Sequence, residues 1–334
     1  MLAMPLNGLG ERGWPIQAAA RRADSAPMTR RALPLLLACA SLATLAACSS
    51  LPAPWRDAPP PPALASATGR PLASPLKVWA LTEDQQLLQF LADAPQQILA
   101  RQPIQGLAEG ERLVGIDYRV ARGVLYGLSQ RGRLYTLQPE QGLATPVGAA
   151  PIGWPLLGRH VGIDFNPVAD RLRVVTEVGQ NLRVHPDTGL LVDFDPKADG
   201  LQSDGVLGYG ERDVNAGKTP RIVAAGYTYN KDNDKLTTNY AIDLDRGQLV
   251  MQGSHESKQP PVSPNTGRLM TVGPLGVAGL TAADLDIADL DNRPLAALRT
   301  DLTRLYRLDL STGAATLIGP IGNGAPVRAI AIEP

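Results

Sequence analysis

Asp164, Asn166, Asp170, Arg171 and Arg173 fall within ten consecutive positions of the stretch GIDFNPVADRLRVVTEVGQNLRVHPDTG, which begins at Gly162. Two carboxylates and an amide on one turn are donors that calcium accepts, and neighbouring guanidinium groups suit an anionic ligand. The same residue types also build ordinary turns. Asp and Asn cap them, Pro167 fixes the backbone, and Asp170 can pair with Arg171 across the bend. Asp117 stands at the corresponding position 47 residues earlier, which favours a repeated structural role. The five residues are carried forward as a ligand- or ion-binding candidate, with the metal unspecified.

Little else in the chain has the spacing of a reaction centre. The three histidines are His160, His185 and His255. No two of them stand four apart as in a helical zinc site, and no HExxH, GxSxG, P-loop or dinucleotide glycine motif is present. Ser254-His255-Glu256 is contiguous, unlike a triad assembled by a fold. Ser74-Pro75-Leu76-Lys77 fits S-x-x-K by chance, inside a proline-rich stretch. The acidic groups Lys231 to Asp234 and Asp284 to Asn292 lack EF-hand spacing; the second alternates apolar and acidic residues as a strand does. Aromatics make up 4% of the chain, too few for the aromatic platforms of a carbohydrate binder. No catalytic residue and no cofactor is assigned.

The elements that must position these residues are repeated short strands. Beyond Lys77, Val, Ile, Leu and Thr alternate with polar residues, and Gly, Asn, Asp and Pro punctuate them about every ten positions. GIDYRVARGVLYGLSQRGRLYTLQPEQG from Gly115 aligns without a gap on the Gly162 stretch. The end of that unit recurs as LYRLDLSTGAATLIG from Leu305, and more loosely as YAIDLDRGQLVMQG from Tyr240. Repeats of roughly 40–50 residues made of short strands indicate a β-propeller. The first clear unit predicts strands near 114–119, 124–128, 133–138 and 143–147, with a glycine in the turn before the fourth. Clear units cover 113–148, 161–195 and 282–319. An irregular one covers about 221–273, with the strand that holds Tyr240 left open. VRAIAIEP from Val327 supplies the first strand of a fifth unit and the segment from Lys77 the other three. The expected fold is therefore all-β, a propeller of five four-stranded blades, the last closed by both termini. A β-sandwich and a six-bladed ring are the competing readings. Residues 196–220 form the longest stretch without strand pattern, where function is worth seeking.

The Gly162 stretch, DVNAGKTPRIVAAGYTYN and LYRLDLSTGAATLIGPIGNGAPVRAIAI together resemble the bacterial domain-of-unknown-function 4394 family, from about Val78 to Ile332. The most specific part is Asp164, Phe165, Asn166, Pro167, Asp170, Arg171 and Arg173. The resemblance implies a repeat-bearing, propeller-like fold and an exported setting, and it implies no reaction. Where the family more often has asparagine, this chain has His185, which argues against an essential role for that histidine.

The N-terminal segment reads as targeting. Arg30 and Arg31 precede the apolar run ALPLLLACASLATLAA, and Cys48 follows small residues, the order of a bacterial lipoprotein signal. Cys48 is the expected lipidation site. Met28 opens this signal, so residues 1–27 are expected to lie outside the translated protein. Residues 28–47 are the signal peptide, 48–76 a lipidated, proline-rich tether and 77–334 the folded domain. Of 32 basic and 32 acidic side chains, five and two lie in residues 1–47, leaving 27 and 30. Such a balance has no electrostatic footprint for nucleic acid. Cys39 leaves with the signal and Cys48 is spent on lipid, so stability must come from a core rather than disulfides. Ser49, in place of aspartate, is the pattern of outer-membrane sorting.

The expected function is a non-catalytic binding or scaffold module, anchored in the bacterial envelope and facing an envelope protein partner. The alternative is a hydrolase or lyase with polar residues converging on a central channel.

Overall fold

The computed structural model describes residues 75–334, so the lipidation site Cys48, the signal and residues 48–74 of the tether lie outside the described residues. Blade one pairs β1 (Lys77–Thr82), β2 (Gln86–Leu91) and β3 (Ile98–Pro103) with β20 (Val327–Ile332). Blade two is β4 (Leu113–Arg119), β5 (Val124–Ser129), β6 (Leu134–Gln138) and β7 (Leu143–Pro146). Blade three is β8 (Val161–Asn166), β9 (Arg171–Thr176) and β10 (Asn181–Val184). Blade four is β12 (Ile222–Tyr227), β13 (Asn239–Asp243), β14 (Gln248–Gln252) and β15 (Arg268–Pro274), with β11 (Gly208–Tyr209) added in parallel on its outer edge. Blade five is β16 (Ala282–Ile287), β17 (Pro294–Arg299), β18 (Thr303–Leu308) and β19 (Ala315–Pro320).

The inner strands β4, β8, β12, β16 and β20 lie side by side in a closed ring. β4, β12 and β16 are buried along their whole length, because each packs on both faces. β7 and β19, at the rim, are largely exposed. Closure runs through β20, whose Ala331 pairs with Trp79 of β1 and whose Ile332 pairs with Val78. The edge of β1 is thereby covered, which removes a template for pairing with other chains.

The core is divided by interface. Four clusters of twelve to fourteen buried residues each fill one blade-to-blade contact. The contact between blades three and four holds seven, among them Val175, Ile222 and Leu269. Each buried Leu-sized side chain contributes about 1.5–3 kcal/mol, so the apolar part of this contact is the weakest of the five. Polar groups take up the remaining space there.

Two glycines show what the repeat requires. Gly142, in the turn before β7, has φ +66, and an added Cβ would sit 2.2 Å from the carbonyl oxygen of Pro103. Gly162 in β8 lets the inner strands approach: a Cβ there would stand 2.4 Å from Cα of Ala224.

Two expectations change. Four strands per blade fails at blade three, where the fourth strand shrinks to one bridge, Val184 to Leu191. Asp193-Phe194-Asp195-Pro196 then leads the chain away, and Pro196 has no N–H to extend a ladder. The following segment crosses to blade four and becomes its fifth strand. Tyr240, whose strand the sequence left open, falls in β13, the second strand of its blade. Leu76, drawn as the end of the tether, is buried in the core.

Candidate functional site

At one level of the ring the inner strands carry Asp117, Asp164, Gly226, Asp286 and Ala331. The hydrogen bonds fix this register, since each aspartate accepts from the residue after the matching position on the next blade. Phe165 N donates to Asp117 Oδ2 at 2.6 Å, Tyr227 N to Asp164 Oδ1 at 3.2 Å and Ile332 N to Asp286 Oδ2 at 2.5 Å. Asp286 Oδ1 also accepts from Ile287 N at 2.6 Å. One level away, Ile330 N donates to Asp284 Oδ2 at 2.8 Å. Each carboxylate therefore fastens its blade to the next. Between blades four and five the grip is reversed: Tyr229 N donates to Asn292 Oδ1 at 2.6 Å and Asn292 Nδ2 donates back to Tyr229 O at 2.8 Å.

The three aspartates also converge. Asp117, Asp164 and Asp286 are buried, and one oxygen of each lies within 4.8 Å of the others. Burial disfavours a charged carboxylate, and neighbouring negative charge disfavours it further. Asp117 is raised well above its ordinary value, by burial first and then by Asp286. Asp164 is raised by burial first and then by Asp117, and Asp286 is pushed up by burial to about 6. The Tyr229 phenol, within electrostatic reach, is raised by burial and by Asp164. Such a trio can share protons or offer three oxygens to a cation. Where the inner strands begin, Glu83, His160 and Arg328 border a cavity of about 20 Å³, room for roughly one water.

The five residues singled out in the sequence separate into three places. Asp164 joins the buried trio on the inner strands. Asp170, with φ +49, is drawn to blade two, where Arg119 Nε donates to its Oδ1 at 2.8 Å. Arg119 Nη1 also donates to Asp187 Oδ1 at 2.5 Å. Asp164, Asn166 and Asp170 thus do not form one calcium loop, because Asp164 groups with Asp117 and Asp286 and Asp170 is held by a guanidinium. Asp170 does not form the expected ion pair with Arg171; Arg171 Nη1 donates instead to the backbone oxygens of Ala169 and Asp170.

Asn166, Arg171 and Arg173 line a pocket of about 210 Å³ with Arg183, Tyr227, Ser263 and Asn265, at the contact where the apolar core is thinnest. Arg173 is fully buried there. Its Nη1 donates to Asp204 Oδ2 at 2.6 Å and Asn181 Oδ1 at 2.7 Å, its Nε to the Tyr227 hydroxyl at 3.1 Å and its Nη2 to Asn265 Oδ1 at 2.6 Å. Arg183 Nη2 donates to Asp204 Oδ1 at 2.8 Å. Asp204 belongs to the patternless segment after blade three, which is a fastened strap. Gly205 N donates to Asn265 O at 2.9 Å, and Thr271 N to Asp213 Oδ2 at 2.6 Å. Phe194, Leu201, Val206 and Val214 on or beside this strap are exposed, the last two by 74% and 80%.

Sequence reasoning missed Asp204, Arg183 and Arg119, whose partners are remote along the chain. Asp286 had a readable signal. Ile116-Asp117-Tyr118, Ile163-Asp164-Phe165 and Leu285-Asp286-Ile287 each put an aspartate between large apolar residues on an inner strand.

Fold and site define a closed five-bladed propeller with an acidic inner ring and a basic pocket between two blades. The chain belongs to the family described as a domain of unknown function (DUF4394), whose model matches residues 86–331. No curated protein matches it. Among solved structures, the chain is similar to a protein of unknown function from Bacteroides caccae, at 10% identity and TM-score 0.43, covering 78% of this chain and 99% of that one. A chain of a nidogen/laminin complex matches at 9% identity and TM-score 0.43, with the same coverage. Glutaminyl cyclase from Myxococcus xanthus matches at 12% identity and TM-score 0.38, covering 67% and 83%.

Proposed function

We propose that this chain is a non-catalytic binding module, carried on the bacterial envelope by a lipid on Cys48 and docking a protein partner there. The observation that carries the reading is the strap 193–220. It is fixed to blades three and four through Asp204 and Asp213, yet it holds Val206 and Val214 almost fully in solvent. In this reading the exposed valines belong to the surface that the partner covers. The lipoprotein pattern around Cys48 and Ser49 supports an outer-membrane location.

The test is in-cell crosslinking of the tagged chain with mass spectrometry, beside Cys48→Ser and Val206→Asp/Val214→Asp versions. The reading expects one dominant envelope partner, weakened in both variants. Loss of neither would remove the strap from the reading, and absence of any reproducible partner would end it. A second reading, a hydrolase or lyase using the channel, is favoured by Asp286, whose pKa near 6 is suited to proton transfer. Turnover abolished by Asp286→Asn with the fold intact would support it.

A further inference from the structure

We propose that the pocket between blades three and four is a binding site for a phosphate-type oxyanion, with Arg171 as its adjustable contact and Arg173 and Arg183 as its fixed base. This goes beyond the partner-docking reading and does not depend on it.

The first ground is charge. Three guanidinium groups line the pocket, and no carboxylate does. Among the described residues, the only acid at ion-pair distance from any of the three is Asp204, which Arg173 and Arg183 share. Arg171 meets no carboxylate at that distance. Asp170, the acid beside it in sequence, is taken by Arg119 on the neighbouring blade. The pocket therefore holds two positive charges more than its acids neutralise, and one of its arginines is fully buried.

The second ground is hydrogen-bond polarity. The side-chain acceptors that line the cavity are already engaged by the protein. Asn166 Oδ1 accepts from Val168 N at 2.8 Å and Ala169 N at 2.9 Å. Asn265 Oδ1 and the Tyr227 hydroxyl oxygen accept from Arg173. Ser263 Oγ accepts from Asn265 N at 3.2 Å. These bonds also fix which end of each amide is oxygen. The groups left over are donors: both amide NH₂ groups, the tyrosine and serine O–H, and guanidinium N–H of Arg171 and Arg183. A ligand that only accepts, and carries negative charge, matches that lining. A tetrahedral oxyanion has several acceptor oxygens for forked guanidinium contacts.

The third ground is size. About 210 Å³ holds a phosphate group and a short substituent, but not a large cofactor, whose sites run to roughly 300–1,000 Å³. Free phosphate and a phosphate monoester on a lipid share this chemistry.

The test uses the full purified chain and inorganic phosphate, against sodium chloride at matched ionic strength. Thermal unfolding should rise by about 3–6 °C with phosphate at ten times its dissociation constant. Arg171→Gln, which breaks no ion pair, should keep the unliganded melting temperature and lose most of that shift. Arg171→Lys should retain part of it. Co-sedimentation with phosphatidylcholine vesicles containing phosphatidic acid, against phosphatidylcholine alone, distinguishes the source. Capture competed by free phosphate assigns a lipid phosphate; a phosphate shift without capture assigns a soluble one. No shift beyond the chloride control, or an equal shift in Arg171→Gln, would overturn the site. Neither result bears on whether crosslinking finds an envelope partner, so the two readings fail separately.

Discussion

Arg119 at the end of β4 holds Asp170, 51 positions later, through Nε to Oδ1 and Nη2 to Oδ2. The pair clamps blade two to blade three and removes from Arg171 the acid that sequence adjacency would give it. Arg119 is only 5% exposed, so its charge depends on partners supplied by the next blade, Asp170 and Asp187.

Replacing Asp170 with Asn should lower stability by about 1 kcal/mol at pH 7. Asn tolerates the left-handed backbone at this position, so the loss reports the charge. The Arg119 guanidinium lowers the Asp170 pKa. The contribution is therefore present above the ordinary aspartate value and disappears as pH falls through the lower folded one. Urea unfolding of both proteins should give curves that differ at pH 7 and approach each other below pH 3.

The buried aspartate trio has the opposite sign. Asp117, Asp164 and Asp286 are raised, so their contribution is full below the ordinary aspartate value and lost as pH rises through the folded ones. Asp286→Asn keeps an oxygen for Ile332 N but takes away a charge. Its melting temperature relative to wild type should climb from pH 4 to pH 8. Both oxygens of Asp286 already accept backbone N–H, so millimolar calcium should leave the wild-type slope unchanged. A slope flattened by calcium and restored by a chelator would show that the trio holds a cation.

Asp204→Asn should be among the costliest single changes. Removing the one carboxylate shared by Arg173 and Arg183 leaves a buried guanidinium without a counter-charge, worth about 3–5 kcal/mol. The same change loosens the strap, so limited proteolysis should first cut within 193–220. Cutting elsewhere first would show that Asp204 does not govern the strap.

Gly162→Ala should prevent normal folding or cost more than about 3 kcal/mol, because its methyl meets the backbone of Ala224. Gly208→Ala has nothing within 4 Å of the added carbon and should change stability little. Chemical denaturation of the two variants side by side checks the contrast.

Much of the ring was legible because its information is local. Alternation and turn glycines placed β4 to β7 within about a residue, and the split unit at Lys77 and Val327 announced closure by both ends. The rest depends on distance along the chain. Nothing near Asp193 indicates that a blade stops at three strands, since the segment that follows is held by remote partners, Asp204 by Arg173 and Arg183 of blade three and Asp213 by Thr271 of blade four. Asp170 beside Arg171 looks like a pair until folding brings Arg119 closer. Asp117 and Asp164 were matched as repeats, but their convergence with Asp286 requires the ring to close, which no spacing in the sequence expresses.

Strand β20 begins 245 residues after β1 ends. Ribosomes add about 5–20 residues per second, so the edge of β1 waits some 12–50 s for the strand that covers it. During that interval the newborn chain presents Val78 to Leu81, four apolar residues on an unpaired ladder, to whatever surrounds it. Assembly of this ring therefore passes through a stage in which the β1 edge is open, a stickiness that the finished molecule no longer shows.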